Sequence, residues 1–261
     1  MTHKSTQKTA LSPYNQTMKL TCILAISLLA LTSPAQAGEV YIQVLGIAQD
    51  AGYPQTDCYR PHCMRAWENP ELRRMASSIA VVDNLNQEKY LFDATPDMRE
   101  QLYALHRVAP SDEYTFGGVF LTHAHIGHYA GLMHFGREAV GAHRIPVYAM
   151  PRMRKFLEGN GPWEQLVRLE NIEIVTLADA AGVRLGDNLT VTPFLVPHRD
   201  EYSETVGFRI DGPNKSAVFI PDIDKWELWD TDIREVVKAV DYALLDATFF
   251  RDGELGGRDM S

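Results

Sequence analysis

The stretch "GGVFLTHAHIGHYAG", residues 117 to 131, decides how this chain is read. It opens on a short apolar run bounded by glycine, the pattern of a buried strand. Side chains alternate along a strand, so a strand running on to Thr122 turns His123 and His125 to the same side. His128 follows three positions later and returns to the same centre if the chain enters a short helix, a turn that small Gly127 permits. Imidazole nitrogens bind zinc at about 2.0 to 2.1 Å, and a catalytic zinc takes three protein ligands with a fourth position open. Any one of these histidines alone would read as a solvated or hydrogen-bonded side chain. Three of them at one strand end read as metal ligands.

Two later segments supply donors in the same style. "FLVPHRDE" (194 to 201) ends a strand and presents His198, and "AVFIPDIDKW" (217 to 226) ends another and presents Asp222, with Asp224 as a second choice. Each donor sits where loops gather at strand termini.

Outward from this centre the chain alternates strands and helices. Strands are expected at 39 to 47, 77 to 83, 89 to 94, 117 to 121, 145 to 149, 171 to 177, 189 to 196, 205 to 211, 216 to 220 and 242 to 250, from β-branched and aromatic runs bounded by Gly, Asn and Asp. Helices are expected at 96 to 107, 131 to 141, 151 to 159 and 225 to 240; the first begins at Pro96 and spaces Met98, Leu102 and Leu105 at helical intervals. Trp226 and Trp229, three apart on the last of these, read as packing residues. His134 and His143 read as solvated. The pattern is α/β, with sheets covered by helices on their outer faces. The glycine-rich "RDGELGGRDMS" (251 to 261) completes no element, and a chain that stops there is expected to be truncated at its C-terminus.

The N-terminus carries a different signal. After Met18, Lys19 precedes an apolar stretch from Leu20 to Leu31 and the small-residue triplet Ala35-Gln36-Ala37, the layout of a secretory signal peptide. The apolar stretch falls short of the roughly 20 residues that span a bilayer. Residues 1 to 37 therefore read as an N-terminal extension and signal peptide, residues 38 to 261 as one domain, and the location as periplasmic or secreted. Taking Lys4, Lys8 and Lys19, and no acid, from 25 basic and 34 acidic residues leaves a formal charge of −12. Such an acidic body discourages polyanions, so a small-molecule substrate is expected, with no nucleic-acid partner and no membrane attachment after cleavage. Cys58 and Cys63, with four residues between them, read in an exported chain as a disulfide, with a zinc site as the alternative.

Together the histidine cluster, His198 and Asp222 resemble the metallo-β-lactamase fold family, whose signature is H-x-H-x-D-H followed by a distant histidine and an aspartate. The resemblance implies an αββα sandwich, two β-sheets flanked by helices. It makes Asp93, in "LFDATPD" (91 to 97), a partner of the ligands rather than a ligand, and likens "LLDATFF" (244 to 250) to a strand of the RNase Z group. Within the family, "GIAQDAGYPQTDCYRPHCMRA" (46 to 66) resembles the branch holding pyrroloquinoline quinone biosynthesis protein B and a phosphonate-pathway phosphodiesterase. Those relatives carry a cysteine-rich zinc loop there. Here Arg60 stands where a middle cysteine belongs, and Cys58, His62 and Cys63 make three donors, so disulfide and zinc loop both stay open.

Two departures matter more. Gly127 stands where the family pattern has its second-metal aspartate, leaving His128 and Asp222 on that side, and no histidine follows His198 to serve as the family's terminal ligand. The reading is one tightly held ion on His123, His125 and His198, zinc by preference with iron or manganese as alternatives, and an impaired second site that Gly127→Asp would repair. Three imidazoles leave the ion its charge, and such an ion lowers the pKa of bound water to about 7. With Asp222 and His128 as the catalytic pair, the expected reaction is hydrolysis of an ester, lactone, amide or phosphodiester. The alternatives are an oxidative role with iron, like that of the quinone-biosynthesis branch, and a vestigial metal-binding protein without activity. The branch protein's own cluster lacks the first two histidines, which this chain keeps, so its chemistry does not transfer directly.

Overall fold

The computed structural model describes residues 39–249, which fall within one compact unit, 37–261. The signal peptide read at 1 to 37 and the tail from 250 onward lie outside the described residues.

Two sheets form the frame. The first holds β1 (Val40–Gly46), β2 (Ser78–Asp83), β3 (Glu88–Phe92), β4 (Thr115–Phe120), β5 (Ile145–Ala149) and β6 (Ile172–Thr176), in that spatial order. The second holds β7 (Val183–Leu185), β8 (Leu189–Leu195), β9 (Val206–Asp211), β10 (Ser216–Ile220) and β11 (Tyr242–Leu245), in the order β11-β10-β9-β8-β7. Ile79, Val81, Phe92 and Phe120 of the first sheet bury against Val191, Val206, Phe208 and Phe219 of the second. Phe120 stacks between Phe92 and Tyr148, at ring separations of 5.0 and 4.1 Å, and Phe208 meets Phe92 edge-on at 5.4 Å. Stacked and edge-on pairs of this kind suit the aromatic quadrupole.

The opposite face of the first sheet is covered by helices. Ala80, Val82, Leu91, Val119 and Val147 pack with Met98 and Leu105 of α2 (Met98–His106), Met153 and Leu157 of α4 (Pro151–Gly159) and Leu166 of α5 (Trp163–Arg168). A strand with a layer on each side has no polar face, which is why "SIAVVD" in β2 is buried at every position. The outer face of the second sheet carries Val196, Ile220 and Ile223 under Trp226, Trp229 and Ile233. These layers make the αββα sandwich.

The expected strands are all present, with ends shifted by a few residues; the helices differ more. The segment 225 to 240 is two pieces, a single 3-10 turn at Trp226–Leu228 and α6 (Ile233–Lys238). Trp229 leaves the helical path to stack on Phe194 at 5.8 Å and to donate its Nε1–H to Leu195 O at 3.1 Å, and Asp232 caps the new start through Arg234 N–H at 2.9 Å. The segment 131 to 141 holds only a 3-10 turn, Ala130–Phe135, because Gly131 is tied to the loop after β3 through N–H to Ala94 O at 2.8 Å. Helix α1 (Pro61–Glu68), α5 and β7 were not among the expected elements; α5 and β7, at six and three residues, are too short to show a sequence period.

Topology gathers the site. β1 and β3 both run antiparallel to β2, β3 and β4 are parallel, and β8 and β10 both run antiparallel to β9. Thus β1, β3 and β4 end on one side of the first sheet, and β8 and β10 end together in the second. The loops leaving these five strands carry Asp50, Asp93, the histidine cluster, His198 and Asp222.

Candidate metal centre

The chain leaves β4 at Phe120, passes His123 and His125, and turns into the single helical turn α3 (Ile126–Tyr129), with His128 N–H donating to His125 O at 2.9 Å. His123 Nε2 then lies 2.9 Å from His125 Nδ1, which lies 3.1 Å from His198 Nε2. Asp222 Oδ2 faces the same space, 3.5 Å from the Nε2 atoms of both His123 and His198. His123, His125, His198 and Asp222 thus present four donor atoms within 4.8 Å of one another.

Each imidazole is oriented from behind. His198 Nδ1–H donates to Asp224 Oδ1 at 2.9 Å, and His125 Nε2–H donates to Glu201 Oε2 at 2.8 Å. His123 Nδ1 meets Thr122 Oγ1 at 2.9 Å, and that hydroxyl is turned by Asp93, whose carboxylate also accepts from Thr122 N–H at 2.8 Å and from His128 Nδ1–H at 2.7 Å. With the outer nitrogens protonated, the inner ones carry lone pairs. Three lone pairs and a carboxylate oxygen converging at 2.9 to 3.5 Å repel one another unless a cation lies between them. A tetrahedral ion bound at about 2.0 to 2.1 Å sets its ligands about 3.3 Å apart, so the donor set fits a metal ion.

The electrostatics agree. Burial, then the charge on His128, push His123 well below the usual imidazole range and keep it neutral. Burial opposes charge on His128, but Asp93, Asp222 and Asp50 outweigh it and push His128 well above that range. Burial likewise opposes charge on Asp222, yet the charge on His128 beside it holds its carboxyl well below the carboxylate range.

Of the residues singled out from sequence, His123, His125, His198 and Asp222 meet at one point, and His128 sits beside them with Nε2 3.3 Å from Asp222 Oδ2. Asp93 is fully buried behind Thr122 and His128. Asp224, the second choice for ligand, instead orients His198. Cys58 and Cys63 are joined as a disulfide, Cα to Cα 5.9 Å, with His62 Nε2 3.8 Å from the Cys58 sulfur. Bonded sulfurs are not thiolates, so in this state the trio is not a zinc loop. His143 is exposed and His134 half-buried, so the latter departs from the solvated reading.

Two residues escaped the sequence reading. Glu201 lies in an acid-rich run whose order alone does not say which acid meets His125. Asp50, in the turn after β1, brings its Oδ2 within 3.4 Å of His128 Nε2. Its carboxylate fills the space beside Gly127, where an added Cβ would lie 2.1 Å from Asp50 Cγ. A Gly127→Asp side chain, expected from sequence to repair the second site, would have to share this space with the Asp50 carboxylate. The only signal was an acid two residues before Gly52 in the loop that resembled the family.

The orienting contacts carry a prediction. Asp224→Ala and Glu201→Ala each free one imidazole to rotate, and each should weaken zinc binding by about 10- to 100-fold, as losses of such outer partners do. Competition with a chromogenic chelator reads this directly; unchanged affinity in both would show that packing alone holds the rings.

The fold and this centre define a metallo-β-lactamase-type protein. Residues 88–261 match the model of the Beta-lactamase superfamily domain, and the chain belongs to that superfamily. Among curated proteins it is similar to coenzyme PQQ synthesis protein B of Xanthomonas campestris pv. campestris strain B100, 29% identical over 233 residues, covering 82% of this chain and 75% of the relative. Among solved structures it resembles Zn(2+)-bound PqqB from Methylobacterium extorquens, with TM-score 0.68 and 25% identity over 81% of this chain and 74% of the other. It also shares the fold of a diphosphatase from the PhnP family, with TM-score 0.51 and 24% identity over 71% and 67%.

Proposed function

We propose that this chain is an exported metal-dependent hydrolase that cleaves an ester, lactone, amide or phosphodiester bond in a small-molecule substrate. The observation that carries the reading is the convergence of His123, His125, His198 and Asp222, each imidazole fixed in a metal-ready tautomer by a hydrogen bond from behind. Kinship with a zinc-bound relative supports zinc as the ion. A divalent cation held by three neutral imidazoles lowers the pKa of a bound water from about 15.7 towards 7. His123, His125 and His198 hold that cation without cancelling its charge. Asp222, kept ionised by its neighbours, stands within reach of a proton released there. His128, buried and tied through Nδ1 to Asp93, stands beside Asp222 with its Nε2 3.3 Å from Oδ2. The −12 charge of the chain after residue 37 favours neutral or cationic substrates over polyanions. Export is supported by the leader pattern at 18 to 37 and by the Cys58–Cys63 disulfide, which an oxidising compartment sustains.

The test is metal analysis of purified protein together with turnover of p-nitrophenyl acetate and bis(p-nitrophenyl) phosphate. Bound zinc and turnover above that of free zinc are expected; metal-free, inert protein would end the proposal. Kinship with coenzyme PQQ synthesis protein B favours a second reading, an oxidative role with iron. Copurified iron with substrate-dependent oxygen uptake, and no ester or phosphodiester turnover, would put it first.

A further inference from the structure

We propose that Asp50, His128 and Asp222 form a second divalent-cation site, in which Asp50 supplies, from the loop after β1, the carboxylate that the histidine cluster lacks at Gly127. The proposal rests on the metal-centred reading above and adds one ligand to it, Asp50, beside His128 and Asp222.

The first observation is steric. A Cβ on Gly127 would lie 2.1 Å from both Cγ and Oδ2 of Asp50, so the carboxylate occupies the volume that a side chain at 127 would take. The second observation is an unpartnered atom. His128 is 1% exposed, its Nδ1 is committed to Asp93, and its Nε2 has no hydrogen-bond partner. A buried polar atom left in that state is costly unless something fills the gap. Nε2 points at Asp50 Oδ2, 3.4 Å away, and at Asp222 Oδ2, 3.3 Å away. These separations are those of ligands on one ion held at about 2.0 to 2.1 Å.

The third observation is that Asp222 Oδ2 is shared. The same oxygen lies 3.5 Å from His123 Nε2 and His198 Nε2 on one side and 3.3 Å from His128 Nε2 on the other. One carboxylate oxygen facing two donor sets suits a bridge between two ions, as hydrolytic two-metal centres use.

Asp50 is also held in place. It sits in a turn closed by Gly52 N–H to Gln49 O at 2.8 Å. Either side of that turn is pinned to the strand approach 74 to 77: Ser77 N–H donates to Ala48 O at 2.9 Å, and Tyr53 and Arg74 exchange backbone bonds of 2.7 and 2.9 Å. A carboxylate on an anchored turn needs little reorganisation to receive a cation. Two carboxylates and one imidazole suit zinc, manganese or iron.

The experiment uses the full chain, stripped with chelator, reloaded with excess Zn2+ and desalted, with bound metal counted by plasma mass spectrometry. The wild type should hold two ions per chain and Asp50→Ala one. Asp50→Asn, which keeps the shape and removes the charge, should also hold one. The double variant Asp50→Ala/Gly127→Asp should return to two, because Gly127 has a helical backbone that an aspartate can adopt and the emptied space receives its side chain. Wild type with one ion, either Asp50 single variant with two, or a double variant left at one would overturn the proposal. His198→Ala separates this failure from that of the parent reading: a single wild-type ion that His198→Ala removes defeats only the second site, whereas no ion in wild type defeats both.

Discussion

His198→Ala is expected to lose the ion of the three-histidine set and, with it, hydrolytic activity down to background. Removal of an orienting partner weakens metal binding by roughly 10- to 100-fold, and removal of the ligand itself should exceed that range. The loss is large because His198 is the one imidazole supplied by the second sheet: His123 and His125 come from the loop after β4, and His198 comes from the loop after β8. Without it, Asp222 is the remaining donor of the set that reaches the ion from the second sheet. Zinc affinity by chelator competition, alongside p-nitrophenyl acetate turnover, checks the expectation; a variant retaining wild-type affinity would show that His198 is not a ligand. Unfolding of the metal-free forms is measured alongside, because the His198 side chain is only 9% exposed and bonds Asp224, and any loss of packing must be separated from the loss of the ligand.

Asp93→Ala is expected to destabilise the metal-free protein by about 3–5 kcal/mol, the range for removing one partner of a buried charged pair. Asp93 is fully buried and serves three donors at once: Thr122 N–H, Thr122 Oγ1–H and His128 Nδ1–H. Alanine leaves all three without an acceptor. It also places a plain Cβ residue at φ 63°, a left-handed conformation that aspartate and asparagine tolerate better. Asp93→Asn keeps the backbone and one acceptor, so its loss should be smaller. Urea unfolding in the presence of chelator isolates this from metal binding, and a loss below about 1 kcal/mol for the alanine variant would contradict it. Because Asp93 stands behind both His123 and His128, zinc binding should fall in step.

The parts of this protein that could be read from its sequence are those whose cause is local. The alternation in "GGVFL", the proline at the start of α4 and the spacing of His123, His125 and His128 each act over one strand or one helical turn. What escaped depends on meetings between distant segments. Asp50 precedes Gly127 by 77 positions, and only the topology that ends β1 and β4 on the same side of the first sheet brings them together. Asp200 and Glu201 are adjacent acids, yet Asp200 accepts from Thr205 Oγ1 at 2.9 Å while Glu201 turns to His125. The break in the helix expected at 225 to 240 has the same origin: Trp229 finds a better surface on Phe194 than the helical path offers. Local periodicity registers none of these long-range preferences.

The close fit between residue 127 and Asp50 has a consequence for descent. A side chain at 127 would meet the Asp50 carboxylate at 2.1 Å in its present rotamer, so the two positions compete for one space. Homologous chains should therefore trade the acid between the two places as a linked exchange. An aspartate in the helical turn should travel with a small or neutral residue in the first loop, and a glycine there with an acid in that loop.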